Sequence, residues 1–421
     1  MDSDSFGAGL ARPTPSRLSF IGPSTVSGHD DSVQQRPARI LFHPFHFIAE
    51  SWNGIDEHLR LLAKHLDRDR FELLVMEHAS DGPQTRQLAE RASLRLIQAP
   101  YRPGASALTR LRALRRVYAG ERIDVVHLHS PAAGGQAVAA LASRLAGCAT
   151  IATYHQVQPW RAPLRSRLLN RLVHSFVIDT TIAVSTGVRA TLAAQTGVPA
   201  SRVVVVHNGI DASDPSRRAA DAPSRARGEV RLAYFGRLSP EKGLSTLLRA
   251  LAPLAERCPG TRTWIVGDGP QRVELEALAG QLGVASRVQF FGFQPDARAL
   301  MSDVDILVHV PEYEGFGLVV LEAMAAGLPV IVNDSPGGLA DIVVPGETGL
   351  VVTTGDVAAL ADGLALLVAD PGERARLGEN GRVRCEREFS ARWMAERTAA
   401  VYEDVISRRG EQPAATGIPL R

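Results

Sequence analysis

The sequence predicts an α/β protein of two doubly wound parallel-sheet domains that face each other across a cleft. Three observations lead there. Short apolar runs, continuously hydrophobic rather than alternating, recur along the chain with helix-spaced segments between most of them, as in a parallel sheet covered on both faces. The pattern pauses once, over the polar, proline-containing stretch 212–229 (ASDPSRRAADAPSRARGE), and then starts again. At 421 residues the chain exceeds what one ordinary hydrophobic core supports.

Residues 1–37 are rich in Ser, Pro, Gly and Asp and lack the apolar stretch of a signal peptide, so a disordered extension is expected there. The first strand is expected at 38–44 (ARILFHP), followed by a helix with Ile55, Leu59, Leu62 and Leu66 on one face. Further strands are expected at 71–76, 94–97, 123–129, 150–154, 181–184 and 203–207, filling a first domain over 38–211. Beyond the linker, strands at 231–235, 263–266, 288–291, 305–310, 329–332 and 350–352 fill a second domain over 230–388. A last helix at about 390–406, within a segment 389–407, offers Trp393, Met394, Val401 and Tyr402 for packing and is placed to cross back onto the first domain. Residues 408–421 read as a loose tail. Two such units in sequence bring the carboxyl ends of both sheets to one cleft, where these folds bind ligands.

Composition narrows the chemistry. Hydrophobic residues at 45% and charged residues at 22% fit a soluble globular protein, and a net charge of +2 gives no reason to expect a nucleic-acid partner. Cys148, Cys258 and Cys385 are scattered, which argues against a disulfide scaffold or a structural zinc site and fits a reducing compartment. No run of about 18 apolar residues is present, so no membrane-spanning helix is expected and the cytoplasm is the default address. Two segments, 110–122 (RLRALRRVYAGER) and 161–171 (RAPLRSRLLNR), combine arginines with helical leucine spacing. A solvated helix face is the commoner explanation; a peripheral seat on anionic lipid at the inner face of the membrane is the alternative. Trp160 beside the second segment fits an interfacial anchor or a plain loop aromatic.

The most informative stretch is 312–330, EYEGFGLVVLEAMAAGLPV. Gly315, Phe316 and Gly317 precede a run of helix formers, and glycines at a loop-to-helix junction let backbone approach a ligand beside unpaired helix N–H groups. Glu314 stands before the junction and Glu322 inside the helix, where two carboxylates can accept hydrogen bonds from sugar hydroxyls. A helix cap and a solvated helix glutamate would look the same. In 234–243 (YFGRLSPEKG), Arg237 and Lys242 lie on a loop above the second sheet, a forked cation and a point cation suited to a diphosphate. Neither a GxGxxG fingerprint nor a P-loop is present there. His127 and His129 leave one strand on the same face; with no third ligand legible, no metal site is assigned, and they read as polar residues near the cleft floor.

Together, GRLSPEKG, VGDGP (266–270) and EGFGLVVLEAMAAGLPVI resemble the retaining family 4 glycosyltransferases, also called group 1, of GT-B fold, with VHNGID (206–211) like the segment that closes their first domain. The resemblance covers most of the chain from about residue 38 and implies two Rossmann-like domains. It implies that Arg237 and Lys242 hold a donor diphosphate, that Glu314 contacts the donor sugar and Glu322 the ribose, and that the Gly315–Leu318 backbone lines the site, Phe316 included. Gly236 and Gly267, in GRLSPEKG and VGDGP, join the expected donor-binding set. It further implies that His155, in TYHQ, reaches the reacting sugar and that Gly54, in WNGIDEH, belongs to a mobile loop. Gly54 matches the second of the paired glycines the family often has there and Asn53 stands in place of the first, Val310-Pro311 replaces the common Pro-Ser, and Asp341 stands where glutamate is more usual. The implied reaction moves a hexosyl group from a nucleoside-diphosphate sugar to an unidentified hydroxyl of a glycan, lipid-linked sugar or small molecule, with no metal and no cofactor. The competing readings are a GT-B sugar-nucleotide epimerase or phosphorylase, or a non-catalytic sugar-nucleotide-binding protein.

Overall fold

The computed structural model describes residues 36–44, 54–78, 83–130, 137–156, 164–211, 226 and 228–410. Nearly all of the expected extension, most of the linker, Asn53, Trp160 and the tail from 411 lie outside the described residues.

The first sheet has seven strands: β1 (Ala38–Pro44), β2 (Phe71–Glu77), β3 (Arg95–Gln98), β4 (Val125–Ser130), β5 (Ala149–Tyr154), β6 (Thr180–Ala183) and β7 (Val203–Val205). The second has six: β8 (Val230–Phe235), β9 (Thr261–Val266), β10 (Val288–Gly292), β11 (Ile306–His309), β12 (Val330–Asn333) and β13 (Leu350–Val352). Their orders are β3-β2-β1-β4-β5-β6-β7 and β10-β9-β8-β11-β12-β13. All pairings between these strands are parallel. In each sheet the strand order reverses at its first strand, β1 beside β4 and β8 beside β11, which is where doubly wound sheets open a crevice.

Every expected strand is present, most with ends moved by one or two residues. β4 starts at Val125 because Asp124 is used otherwise: its carboxylate accepts the Arg39 amide at 2.7 Å. β7 stops at Val205, two residues early, as the chain leaves the sheet and His207 reaches Asp341 of the second domain at 3.2 Å.

Both faces of the first sheet are covered. Helices Gly54–His65, Gln84–Ala92 and Ala391–Gly410 share one core with Leu59, Leu62, Leu88, Met394 and Tyr402. Leu59, Leu62 and Leu66 are buried as their spacing predicts, and Ile55 is half-buried. Helices Ala107–Gly120, Ala137–Ala146 and Thr186–Thr196 share the opposite core through Leu114, Ala140 and Val188, and Leu164–Phe176 packs Val173 against it. Right-handed crossovers put them on those sides.

Helix Ala391–Gly410 lies on the first domain although it follows the second. The Tyr402 hydroxyl meets His127 Nδ1 at 2.7 Å, and Arg409 pairs with Asp179 at 2.9 Å, so the helix runs ordered past the point where a loose tail was expected. Trp393 departs from its expected packing role: it is half exposed, with the Arg397 guanidinium 5.5 Å above its ring. Met394 and Tyr402 on the neighbouring face fill the core instead.

Candidate functional site

β8 carries the chain up to Gly236, where the loop 236–243 begins. This loop packs directly on the one that follows β9: a Cβ on Gly267, whose φ is +136°, would lie 1.9 Å from the Gly236 carbonyl oxygen. Only glycine permits that approach. The Arg237 backbone carbonyl accepts the Tyr234 hydroxyl at 2.9 Å, while its side chain is exposed and forms no ion pair among the described residues. Lys242 behaves differently. Its Nζ lies 2.7 Å from Glu314 Oε2, and His309 Nε2, at the end of β11, lies 3.0 Å from the same oxygen. Burial alone would push Glu314 up, but the Lys242 ammonium and the His309 contact outweigh it and hold the carboxyl far below the usual range. For Lys242 too, the carboxylate overcomes burial and raises the pKa. An ionised Glu314 is thus fixed beside a cation at the carboxyl end of β11.

Beyond Glu314 the chain passes Gly315, Phe316 and Gly317 into helix Leu318–Ala325. The Phe316 side chain is buried against His207 and Phe389, with centroids at 5.9 and 6.1 Å, so it can offer a ligand only backbone. Glu322, in that helix, is held by Arg298 at 2.5 Å, and the same guanidinium reaches Glu57 of the first domain at 2.9 Å. Burial raises the Glu322 pKa; Arg298 opposes the shift and Glu57 adds to it.

On the first domain, His155 follows β5 and is buried, its Nε2 3.1 Å from His129 Nδ1. His58 Nδ1 meets Asn208 Oδ1 at 2.8 Å, and its ring packs edge-on to His155 at 4.8 Å. Burial lowers all three histidines, His58 to about 4 despite its Asn208 hydrogen bond, and His129 and His155 well below the ordinary value with neighbouring rings adding to the effect. They are neutral at pH 7. The histidines that come together are not the pair His127 and His129 weighed from the sequence: His58, His129 and His155 each offer a nitrogen within 4.8 Å of the others, a spacing that could hold a cation. His127 is fully committed to Tyr402 and Thr153, at 2.7 Å each.

The two domains meet through backbone as well as through side chains. A Cβ on Gly315 would lie 1.9 Å from the His155 carbonyl oxygen, so this glycine admits the first domain rather than a ligand in the state described. The Ser185 hydroxyl donates to the Gly315 carbonyl at 2.9 Å, and the Thr186 amide and hydroxyl both reach Asp341. Gly54, at the start of its helix, faces Leu318. Of the sequence-expected residues, the structure joins Lys242 to Glu314, Gly236 to Gly267, Gly315 to His155 and Gly54 to Leu318. Arg237 stands alone, and Glu322 faces Arg298. His309, Arg298, Glu57 and Ser185 were not singled out from the sequence. His309 ends a strand at a sheet's ligand-binding edge, which is a usable signal; the others depend on how the domains meet.

Two facing parallel sheets, with basic and acidic side chains gathered at their carboxyl ends, define a GT-B architecture. Residues 217–384 match the family Glycosyl transferases group 1, and residues 52–214 match Glycosyltransferase Family 4. The chain belongs to these group 1, family 4 glycosyltransferases, and is an enzyme of that class. It is 33% identical to a GDP-mannose-dependent alpha-mannosyltransferase of Mycobacterium tuberculosis over 87% of this chain and 98% of the relative. It is 32% identical to a glycogen synthase of the same organism over 71% of this chain and 72% of that one. Among solved structures, Anabaena Alr3699/HepE in complex with UDP has the same fold, with a TM-score of 0.75 over 87% of this chain and all (100%) of that one, at 24% identity.

Proposed function

We propose that this glycosyltransferase moves a hexosyl group from a nucleoside-diphosphate sugar to an acceptor hydroxyl, with the second domain (230–388) holding the donor and the first (38–211) the acceptor. The observation that carries the reading is a part-buried, ionised Glu314 fixed by Lys242 and His309, with Arg237 on the same loop as Lys242, exposed and without an ion pair among the described residues. In the reaction the C1–oxygen bond to the diphosphate breaks, and its electron pair stays on the phosphate oxygen. The acceptor oxygen bonds C1, and its proton passes to the departing diphosphate. Charge grows on the leaving group, so Arg237 and Lys242 stabilise the transition state more than the ground state. Glu314 accepts hydroxyls of the donor sugar, and once Arg298 moves aside Glu322 accepts those of the ribose. Neutral His155 orients the sugar from the facing domain, and closure against Gly315 excludes water. The family resemblance supports same-face attack with retention, and a reaction without metal.

Thermal stabilisation by UDP-, GDP- and ADP-sugars tests the reading, with Arg237→Ala as control. One donor class is expected to raise the melting temperature of the wild type and not of the variant. Arg237→Ala itself should melt within about 0.5 kcal/mol of the wild type, because its side chain is exposed. Turnover should fall on the order of 10²–10³-fold, as on removing one donor to a developing oxyanion. A shift retained in full by the variant would move the diphosphate elsewhere.

A further inference from the structure

We propose that the outer helical layer of the first domain docks on an anionic lipid bilayer and brings the cleft to a membrane-borne acceptor. The acceptor clause rests on the transferase reading above; the docking does not.

The layer comprises helices Ala107–Gly120, Ala137–Ala146, Leu164–Phe176 and Thr186–Thr196. Two properties set it apart. First, its charge has one sign: these four helices carry nine arginines and no aspartate or glutamate. The helices on the opposite face carry Asp56, Glu57, Glu90, Glu396, Glu403 and Asp404 among their cations, as a solvated face does. Glu121 and Asp179, next to the basic layer, are already paired with Arg95 and Arg409. Second, the layer exposes a ridge of large apolar side chains. Leu164, Leu168, Leu172 and Phe176 follow at steps of four residues and are 80%, 59%, 47% and 71% exposed. Leu141 and Leu145 repeat the spacing on the neighbouring helix, at 40% and 46%. Leucines four apart lie along one side of a helix, where burial against protein is the usual outcome. Here Val173 packs on the core and Asn170 and His174 are buried, while the four ridge side chains of that helix stay exposed.

Apolar side chains rimmed by arginine match the boundary between acyl chains and anionic headgroups, with the leucines immersed and the guanidinium groups at the phosphates. A second copy of the chain fits poorly, because a two-fold contact would set arginine against arginine. Nucleic acid would engage the arginines and leave the leucines in water. Each helix of a parallel α/β unit begins at the carboxyl edge of the strand before it, so the Leu164 end of the ridge lies on the cleft side of the sheet. Docking is peripheral: among the described residues no helix is long and apolar enough to cross a membrane.

Flotation of the whole protein with phosphatidylglycerol-containing vesicles, against pure phosphatidylcholine, tests the proposal. Binding to the anionic vesicles alone is expected. Leu168→Glu/Leu172→Glu should weaken it at least about tenfold, by removing the apolar term and adding repulsion. Arg112→Gln/Arg115→Gln should weaken it about 25-fold, at roughly fivefold per arginine lost from the surface. All four positions are exposed, so melting and donor-induced stabilisation should stay as in the wild type. No binding to anionic vesicles, or equal binding by the variants, overturns the proposal. So does a dimeric mass by light scattering that the leucine variant restores to monomer, since a second copy then covers the ridge. Vesicle binding without any donor shift would leave docking in place and sink the transferase reading; a donor shift without vesicle binding would do the reverse.

Discussion

Replacing Lys242 by methionine removes the cation that keeps Glu314 ionised while nearly preserving side-chain volume. The nearest other group is His309, 3.0 Å from the same oxygen. Breaking a fully buried ion pair by removing one partner costs about 3–5 kcal/mol, because the remaining charge is stranded. Lys242 and Glu314 keep 22% and 16% of their side-chain surface open, so solvent screens part of that cost. We expect a loss of about 2–3 kcal/mol at pH 7. At 2–4 °C per kcal/mol for a domain of this size, that is a fall of roughly 4–12 °C in Tm. The double variant Lys242→Met/Glu314→Gln removes the stranded charge and should recover most of the loss. Thermal and denaturant unfolding of the wild type, both single variants and the double variant close a cycle that isolates the coupling. Acid supplies a second check. The carboxyl sits lower in the folded chain than in the unfolded one, so its contribution is complete above the unfolded pKa of about 4.5 and fades as pH falls towards the folded value. Lys242→Met should lose that acid-labile part. If the lysine variant costs under about 0.5 kcal/mol, or the double variant is as unstable as the single, Lys242 does not stabilise Glu314 and the reasoning fails.

Two further outcomes follow from the geometry. Gly315→Ala places a methyl group 1.9 Å from the His155 carbonyl oxygen; each domain should keep its fold, while small-angle scattering should report a wider molecule and turnover should collapse. An unchanged radius of gyration with full activity would mean that this contact is dispensable. His58 is lowered to about 4 by burial, so below about pH 6.5 the unfolded chain takes up a proton that the folded one refuses. Stability should therefore fall between pH 6.5 and 4, by on the order of 3 kcal/mol from this residue. His58→Gln should be weaker at pH 7.5 but lose less on acidification; parallel pH curves would refute the assignment.

The elements were legible because parallel strands buried on both faces must be short and apolar, and the helices between them must carry a stripe. Candidate site residues were picked out for a related reason: Arg237, Lys242 and Glu314 lie on the segments that follow β8 and β11, at the sheet edge where doubly wound folds bind ligands. Their pairing was not. Lys242 and Glu314 are 72 positions apart and meet because β8 lies beside β11, an adjacency set by sheet order rather than by any local pattern. Arg298 and Glu57 are 241 positions apart on different domains, and Gly315 meets His155 across the same two domains, so no periodicity encodes either contact. The three clustered histidines come from a helix and the ends of two strands. Trp393 shows the converse error: an aromatic in an amphipathic helix was expected inside, whereas the face bearing Met394 and Tyr402 had already filled the core.

The last described helix also governs the order in which the chain can mature. Tyr402, Met394 and Val405 belong to the core that β1 and β2 begin, so the first domain to leave the ribosome stays open along one flank until residues 391–410 emerge. The second domain, whose own core of β8, β9 and β11 is supplied by contiguous chain, can close earlier and then deliver the missing piece to its predecessor. A stop codon between residues 391 and 405 would therefore injure the half of the molecule synthesised first, leaving the half nearer the lesion to fold.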